Sequence, residues 1–460
     1  MLDLSRILNI KCEKRNEKEK YLLKEISNLK NIKKINKIGY PITIGDIKEI
    51  KGKPAPYSDT LLKLVINNLI NLEDNNITNY LDKKKYPEVI VDYSSNSYGK
   101  IMININYDEQ LSIQRKKLTN NLSSSNILFL YMDNLSRVHF YRQYKKTVQF
   151  LKQFFSYEGF SDNTGQKYHG FEFMKFHKFE GATLNNAIPM FSGVYFGHKN
   201  KMISIVKDLK ELGYITCNVQ DICHKELMSI GKIKSYSYIE FDHEYAAPNC
   251  DPNIYSYGFG FFGGENGILR KCLYGKESFD YSLEYAKKFW IAYKENNRFL
   301  RIVNTYAHEY SGEKSKYTDN DLFLFLKDLY SSNLLQNTTV FLVGDHGFAL
   351  MGIYKLLNSR DWKIEQYLPM FILLVPDKKN LSYNEQYSNI IKNQYNLITP
   401  FDIYYTIRHI IYGTKYKVSP LNGDKNDGES LFEFINPKTR QCKKYKMIKN
   451  CQCKINKRRN

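Results

Sequence analysis

The chain reads as an α/β protein, with a doubly wound, mainly parallel sheet flanked by helices. Short runs of β-branched and aromatic residues recur along its middle, too apolar for strands wetted on one face. Stretches of helical character separate them, the alternation that builds parallel sheets by crossover. Polar residues with metal-binding chemistry then stand at the C-terminal ends of two of the runs, where such sheets place their ligand sites.

Residues 1–120 are rich in Lys, Asn and Ile, and are expected to form an N-terminal accessory region. Within it Lys14 to Asn36 is charged and helix-prone, while 88–93 and 101–106 look like short strands. The polar stretch Asn120-Asn-Leu-Ser-Ser-Ser-Asn126 marks a boundary. Ile127-Leu-Phe-Leu-Tyr-Met132 then reads as a buried strand, followed by a helix around 142–155. A helix over 203–212 leads to a strand over 214–219. A helix near 281–294 leads to the strand 299–303. Residues 321–330 are again helical, ahead of strands at 339–343 and 370–375 and a helix over 400–412. The main domain is expected to span 121–412, leaving 413–460 as a basic tail with three cysteines.

At 460 residues and 42% hydrophobic, the chain can build a large core. It contains no apolar run of 18 residues, so no membrane span is expected. The first ten residues lack the uninterrupted apolar stretch of a signal peptide, so either the protein is not secreted or the chain is incomplete at its N-terminus. A net charge of +20 often marks nucleic-acid binders. Here the lysines are spread along the whole chain, and Lys, Asn, Ile and Tyr are enriched together, as an AT-rich coding bias produces. No helix-turn-helix, zinc-finger or aromatic stacking signature accompanies the charge, so no nucleic-acid partner is expected.

Eight cysteines are present, seven of them after the first quarter in stretches that look like loops or the tail. An even count so placed fits disulfides and a secretory or extracellular compartment. The tail cysteines Cys442, Cys451 and Cys453 are expected to tie the tail to the body, with the pairing left open.

The chemistry concentrates in four segments. Gly344-Asp345-His346-Gly347 closes the apolar run Thr339-Val-Phe-Leu-Val343, and its carboxylate and imidazole are both good ligands for Zn or Mn. The glycines permit a sharp turn and a close backbone approach to an ion. Asp133 ends the run 127–132, as metal ligand or as helix N-cap. Thr183, in Gly181-Ala-Thr-Leu-Asn-Asn-Ala-Ile-Pro-Met-Phe-Ser-Gly193, sits at a loop-to-helix junction that favours anions. It is read as N-cap or nucleophile, with Asn186 as a donor to a non-bridging oxygen. His308-Glu309 follows the strand 299–303 and is expected near a leaving group or a second ion.

Together these segments resemble the alkaline phosphatase and sulfatase superfamily, and more closely its eukaryotic branch "domain of unknown function 229". The resemblance covers roughly residues 120 to 455. It is also carried by Asp133-Asn-Leu-Ser-Arg137, Asp242-His-Glu-Tyr-Ala-Ala-Pro-Asn-Cys-Asp251, Arg270-Lys-Cys-Leu-Tyr-Gly275, Leu397-Ile-Thr-Pro-Phe-Asp402, Gly428-Glu-Ser-Leu-Phe432 and the terminal cysteines. It implies metal ligands Asp133, Thr183, Asp345 and His346, with Thr183 as nucleophile and His308 assisting. Thr183 stands where sulfatases carry the Cys or Ser that becomes formylglycine, which favours phosphate over sulfate chemistry. Asn304 replaces an Asp of two-metal phosphatases and Tyr404 an expected His, so one divalent ion (Zn, Mn or Mg) is implied.

Two classes of function follow. One is a metal-dependent hydrolase or phosphotransferase acting on an anionic ester of a glycan, lipid or small phosphoester. The other is a catalytically silent relative that binds a glycan or a protein partner.

Overall fold

The computed structural model describes residues 43–44, 89–92, 100–119, 125–161, 165–181, 183–195, 202–221, 236–237, 241–245, 272–273, 276–308, 314–347, 360–377, 385–417, 428–442 and 451–452. The expected helix at Lys14 to Asn36 and residue Glu309 lie outside them. The chain divides into two compact units, one formed by Met1–Asp108, Val219–Met228 and Glu244–Ala292, the other by Glu109–Asn218, Ser229–His243 and Tyr293–Asn460.

Eight strands form the central sheet: β1 (Asn126–Met132), β2 (Phe160–Ser161), β3 (Lys167–Glu172), β4 (Ile215–Gln220), β5 (His243–Tyr245), β6 (Arg298–Asn304), β7 (Thr338–Gly344) and β8 (Phe371–Pro376). Their order is β5-β4-β6-β1-β7-β8-β3-β2. The strands at 127–132, 214–219, 299–303, 339–343 and 370–375 expected from sequence are all present. Strands β6, β1 and β7 run parallel and are buried along their whole length. That double-sided burial is why their sequences are continuous apolar runs. Phe129 of β1 stacks on Phe341 of β7, with ring centroids 5.5 Å apart.

The far side of the sheet departs from the mainly parallel expectation. Strand β8 pairs antiparallel with β7, β3 antiparallel with β8, and β2 antiparallel with β3. An apolar run such as Phe371-Ile-Leu-Leu-Val375 reports burial on both faces and carries no information about direction.

The helices are α1 (Glu109–Thr119), α2 (Arg137–Gln143), α3 (Lys145–Lys152), α4 (Thr183–Ser192), α5 (Ile205–Glu211), α6 (Ser278–Ala292), α7 (Asp319–Ser331), α8 (Arg360–Tyr367), α9 (Glu385–Asn393) and α10 (Pro400–Tyr412). The segment read as one helix over 142–155 is α2, α3 and a 3-10 turn, broken at Tyr144. Helix α10 starts at Pro400 behind a capping box in which Thr399 and Asp402 satisfy each other's backbone amides. Among the described residues no helix is long and apolar enough to cross a membrane.

In the smaller unit, 43–44, 89–92 and 100–103 form a three-stranded sheet. Lys288 of α6 donates to the carbonyl of Ile103 at 2.8 Å.

The tail is held by polar and apolar contacts together. Arg440 pairs with Asp402 at 2.7 Å, both side chains being buried. Cys442 and Cys451 form a disulfide, and both pack with Leu397 and Phe179. The observed bridge therefore closes within the tail and does not bond it to the body; Cys453 lies outside the described residues. Cys217 is a buried residue of β4, within the stretch expected to be a strand, and so departs from the loop or tail placement expected of the late cysteines.

Candidate metal and nucleophile site

Strand register brings the two acids together. Met132 pairs with Gly344 across β1 and β7, so the next residues, Asp133 and Asp345, leave the sheet side by side. Ligand atoms of Asp133, Asp345 and His346 all lie within 4.8 Å of one another, and all three residues are buried. Asp133 therefore belongs to an acidic cluster and is more than a helix cap. The N-cap role falls to Ser136, whose Oγ accepts from His139 N at 3.0 Å and donates to Glu365.

The flanking glycines are required for backbone packing. A Cβ on Gly347 would lie 1.5 Å from the carbonyl oxygen of Glu365, and one on Gly344 2.4 Å from that of Leu135. The close approach expected toward an ion is thus one between neighbouring chain segments.

One oxygen of Asp345 is spoken for and the other is not. Oδ1 accepts from the backbone amides of His346 (2.8 Å) and Asn134 (3.0 Å). Oδ2 is buried, accepts no hydrogen bond among the described residues, and lies 3.4 Å from His346 Nε2. His346 Nδ1 is 2.9 Å from the carbonyl oxygen of Gly347. A carbonyl only accepts, so Nδ1 donates to it, and Nε2 is the ring nitrogen that faces the carboxylates. An orphaned carboxylate oxygen, a second carboxylate and an imidazole nitrogen turned toward them are a donor set that fits a divalent cation.

Thr183 is the first residue of α4 and completes the group. Its Oγ1 lies 3.4 Å from Asp133 Oδ1 and 3.2 Å from His346 Nε2. Half-buried, it stands where the helix dipole is positive. His308 is also half-buried, and its ring centroid is 6.5 Å from that of His346. It stands beside the cluster without belonging to it.

Asn186 is used differently from the sequence expectation. Its Oδ1 accepts from the amides of Phe179 (2.6 Å) and Glu180 (3.3 Å), and its Nδ2 donates to Glu180 O at 2.9 Å. Fully buried, it braces the turn that leads into Thr183. Asn304 is likewise occupied: Oδ1 accepts from Tyr306 N at 2.9 Å, and Nδ2 donates to Thr318 at 3.3 Å. Tyr404 packs its ring against Gly193 at the end of α4 and faces Arg408.

Two further residues serve the cluster. Asn134 adopts a left-handed φ of 61°, which turns its amide toward Asp345. Its Nδ2 donates to Ala307 O at 2.7 Å, which ties the Asp133 turn to the segment that carries His308. Asn follows Asp directly at a strand end, and Asn tolerates this φ, so the signal was present in the sequence. Tyr131, buried in β1, makes no hydrogen bond of normal geometry; burial first, and then the charges of Asp345 and Asp133, hold its phenol well above the usual range. It remains neutral beneath the acids.

The parallel centre of the sheet thus delivers two acids, a histidine and a helix-initial threonine to one end of its strands. The chain belongs to the family described as protein of unknown function (DUF229), whose model matches residues 72–459. No curated protein sequence matches the chain. Among solved structures it is similar to the periplasmic domain of the phosphoethanolamine transferase EptC from Campylobacter jejuni, at 12% identity, over 63% of this chain and 90% of that one, with a TM-score of 0.39. It is also similar to an alkaline phosphatase superfamily protein from Vibrio parahaemolyticus (12% identity, 72% and 80% covered, TM-score 0.42). A third is the phosphonate monoester hydrolase of Silicibacter pomeroyi (10% identity, 69% and 78% covered, TM-score 0.43).

Proposed function

We propose that this protein is a metal-dependent hydrolase or phosphotransferase of phosphate esters, with Thr183 as its nucleophile. The observation that carries the reading is the position of Thr183 Oγ1, within 3.4 Å of both Asp133 and His346 at the start of a helix. Asp133, Asp345 and His346, with Thr183, would hold one divalent ion, Zn, Mn or Mg. Such an ion supplies charge neutralisation to the ester oxygens and makes a nearby hydroxyl more acidic.

The chain's own groups account for the rest. Thr183 Oγ1 forms the bond to phosphorus as the bond from phosphorus to the leaving oxygen breaks. Its proton has an acceptor in the Asp133 carboxylate. The α4 N-terminus favours the negative charge gathered on the non-bridging oxygens. His308 is the nearby group able to give the leaving oxygen a proton. Water or an acceptor hydroxyl then takes the phosphoryl group from Thr183, which regains its proton. Asn186 positions the nucleophile by holding the 179–180 turn.

The ester-bearing molecule is a glycan, a lipid or a small phosphoester. Sulfate esters are the less favoured substrates, because a threonine cannot become formylglycine. The Cys442–Cys451 disulfide supports work in an oxidising, secretory or extracellular compartment.

Assays of a phosphate monoester, a phosphate diester and a sulfate monoester on metal-loaded protein test this reading, with Thr183→Ala as control. Turnover of a phosphate ester that Thr183→Ala abolishes is the expected result. Equal turnover in the variant removes Thr183 as nucleophile. Metal uptake without turnover of any ester favours the silent, glycan- or protein-binding relative, for which the occupied amide of Asn304 is the relevant observation.

A further inference from the structure

The segment that leads into Thr183 brings another charged side chain to the same edge of the sheet. Lys178 stands five positions before Thr183 and is only 1% exposed. Its backbone amide donates to Tyr367 O at 3.1 Å, while Gly347 N donates to Gln366 O at 3.0 Å. The end of α8 thus joins the chain approaching Thr183 to the chain leaving His346. The Lys178 ammonium lies 4.4 Å from the centroid of the Tyr367 ring. Among the described residues its Nζ makes no hydrogen bond and no ion pair. Burial pushes the amine down to about 8, against the opposing pull of Asp345.

Two explanations compete for a lysine in this position. It is near the last residue of α8, where the helix dipole favours a cation. The tyrosine face adds a cation–π contact. Neither replaces the hydrogen bonds that an ammonium gives up when most of its water is taken away. Asp345 offsets the charge at a distance, but a divalent cation in the cluster would cancel that benefit and leave excess positive charge. What satisfies both at once is an anion seated between them.

We propose that Lys178 is an anion-binding residue of the Thr183 site, whose ammonium takes a non-bridging oxygen of a tetrahedral phosphate or sulfate group. Lysine suits this as a point charge with three donors, none of which is committed to protein. The proposal rests on the ester reading given above and assigns it a recognition element in this chain. It also accounts for the Tyr367 ring, whose face meets the ammonium while offering no competing anion.

The test is calorimetric titration of inorganic phosphate into metal-loaded wild type, Lys178→Met and Lys178→Gln, with metal content and melting temperature measured on each. The loss of one charge-assisted contact predicts phosphate binding weakened by about tenfold or more in both variants. Metal content should be unchanged, and the melting temperature equal to or above that of wild type, because a costly buried charge is gone. Wild-type phosphate affinity in either variant overturns the proposal. So does a lowered melting temperature with unchanged phosphate affinity, the mark of a purely structural lysine. A metal-loaded wild type that binds no phosphate also overturns it. A wild type that takes up no metal removes the ester reading itself, and this proposal with it.

Discussion

Thr183 Oγ1 lies 3.2 Å from His346 Nε2, the same nitrogen that is 3.4 Å from the unsatisfied oxygen of Asp345. A nucleophile and a ligand set share one atom's surroundings. Replacing Thr183 with Ala should cut phosphate ester turnover by at least about a thousand-fold, as removal of a nucleophile does elsewhere. Thr183→Ser should retain part of it. Steady-state kinetics on both variants, at equal metal content, check this.

Asn186 acts on Thr183 through the turn it holds. Asn186→Ala leaves the amides of Phe179 and Glu180 without their side-chain acceptor. The expected cost is about 1–3 kcal/mol of stability. A nucleophile displaced by a fraction of an ångström should lower kcat by about tenfold to a hundredfold, with little change in KM. Urea unfolding and kinetics on one preparation separate the two effects.

Arg440 and Asp402 form a buried pair whose carboxylate also accepts from Thr399 N and Glu429 N. Arg440→Met leaves that carboxylate without its cation, and breaking such a pair costs about 3–5 kcal/mol. Denaturant unfolding of the variant should show the loss. Arg440→Lys should recover only part of it, because a lysine cannot reproduce the two-pronged contact.

His177 gives the stability curve an acid limb. Burial pushes its imidazole down to about 4, and its Nε2 accepts from Gln452 N of the tail at 3.2 Å. A base whose folded pKa is lowered binds fewer protons folded than unfolded between the two values. Its contribution is therefore present above the unfolded value and is lost as pH falls toward 4. His177→Phe should reduce the slope of unfolding free energy against pH across that window by up to one proton. An unchanged slope would show that His177 does not titrate this way.

Much of this was written in the chain. Asp133 and Asp345 were legible because each follows a continuous apolar run, and two such runs side by side leave their next residues adjacent. Thr183 was legible as a helix start. Strand β3 was not, because Lys167-Tyr-His-Gly-Phe-Glu172 mixes polar and apolar residues and its burial comes from partners far along the chain. The antiparallel direction of β8 was hidden for a different reason, because its continuous apolar run reports burial and not direction. Asn186 was read as a substrate donor because composition cannot tell which hydrogen bonds a buried amide has already made. Lys178 looked like one lysine among many, and only its burial beside Tyr367 sets it apart.

The central claim is that Asp133, Asp345 and His346 hold a divalent ion beside Thr183. Elemental analysis of purified protein, after saturation with Zn, Mn or Mg and removal of excess, tests it most directly. The account predicts about one ion per chain, lost in Asp133→Ala and Asp345→Ala. A wild type without a bound divalent ion, or variants that retain wild-type metal, would contradict it.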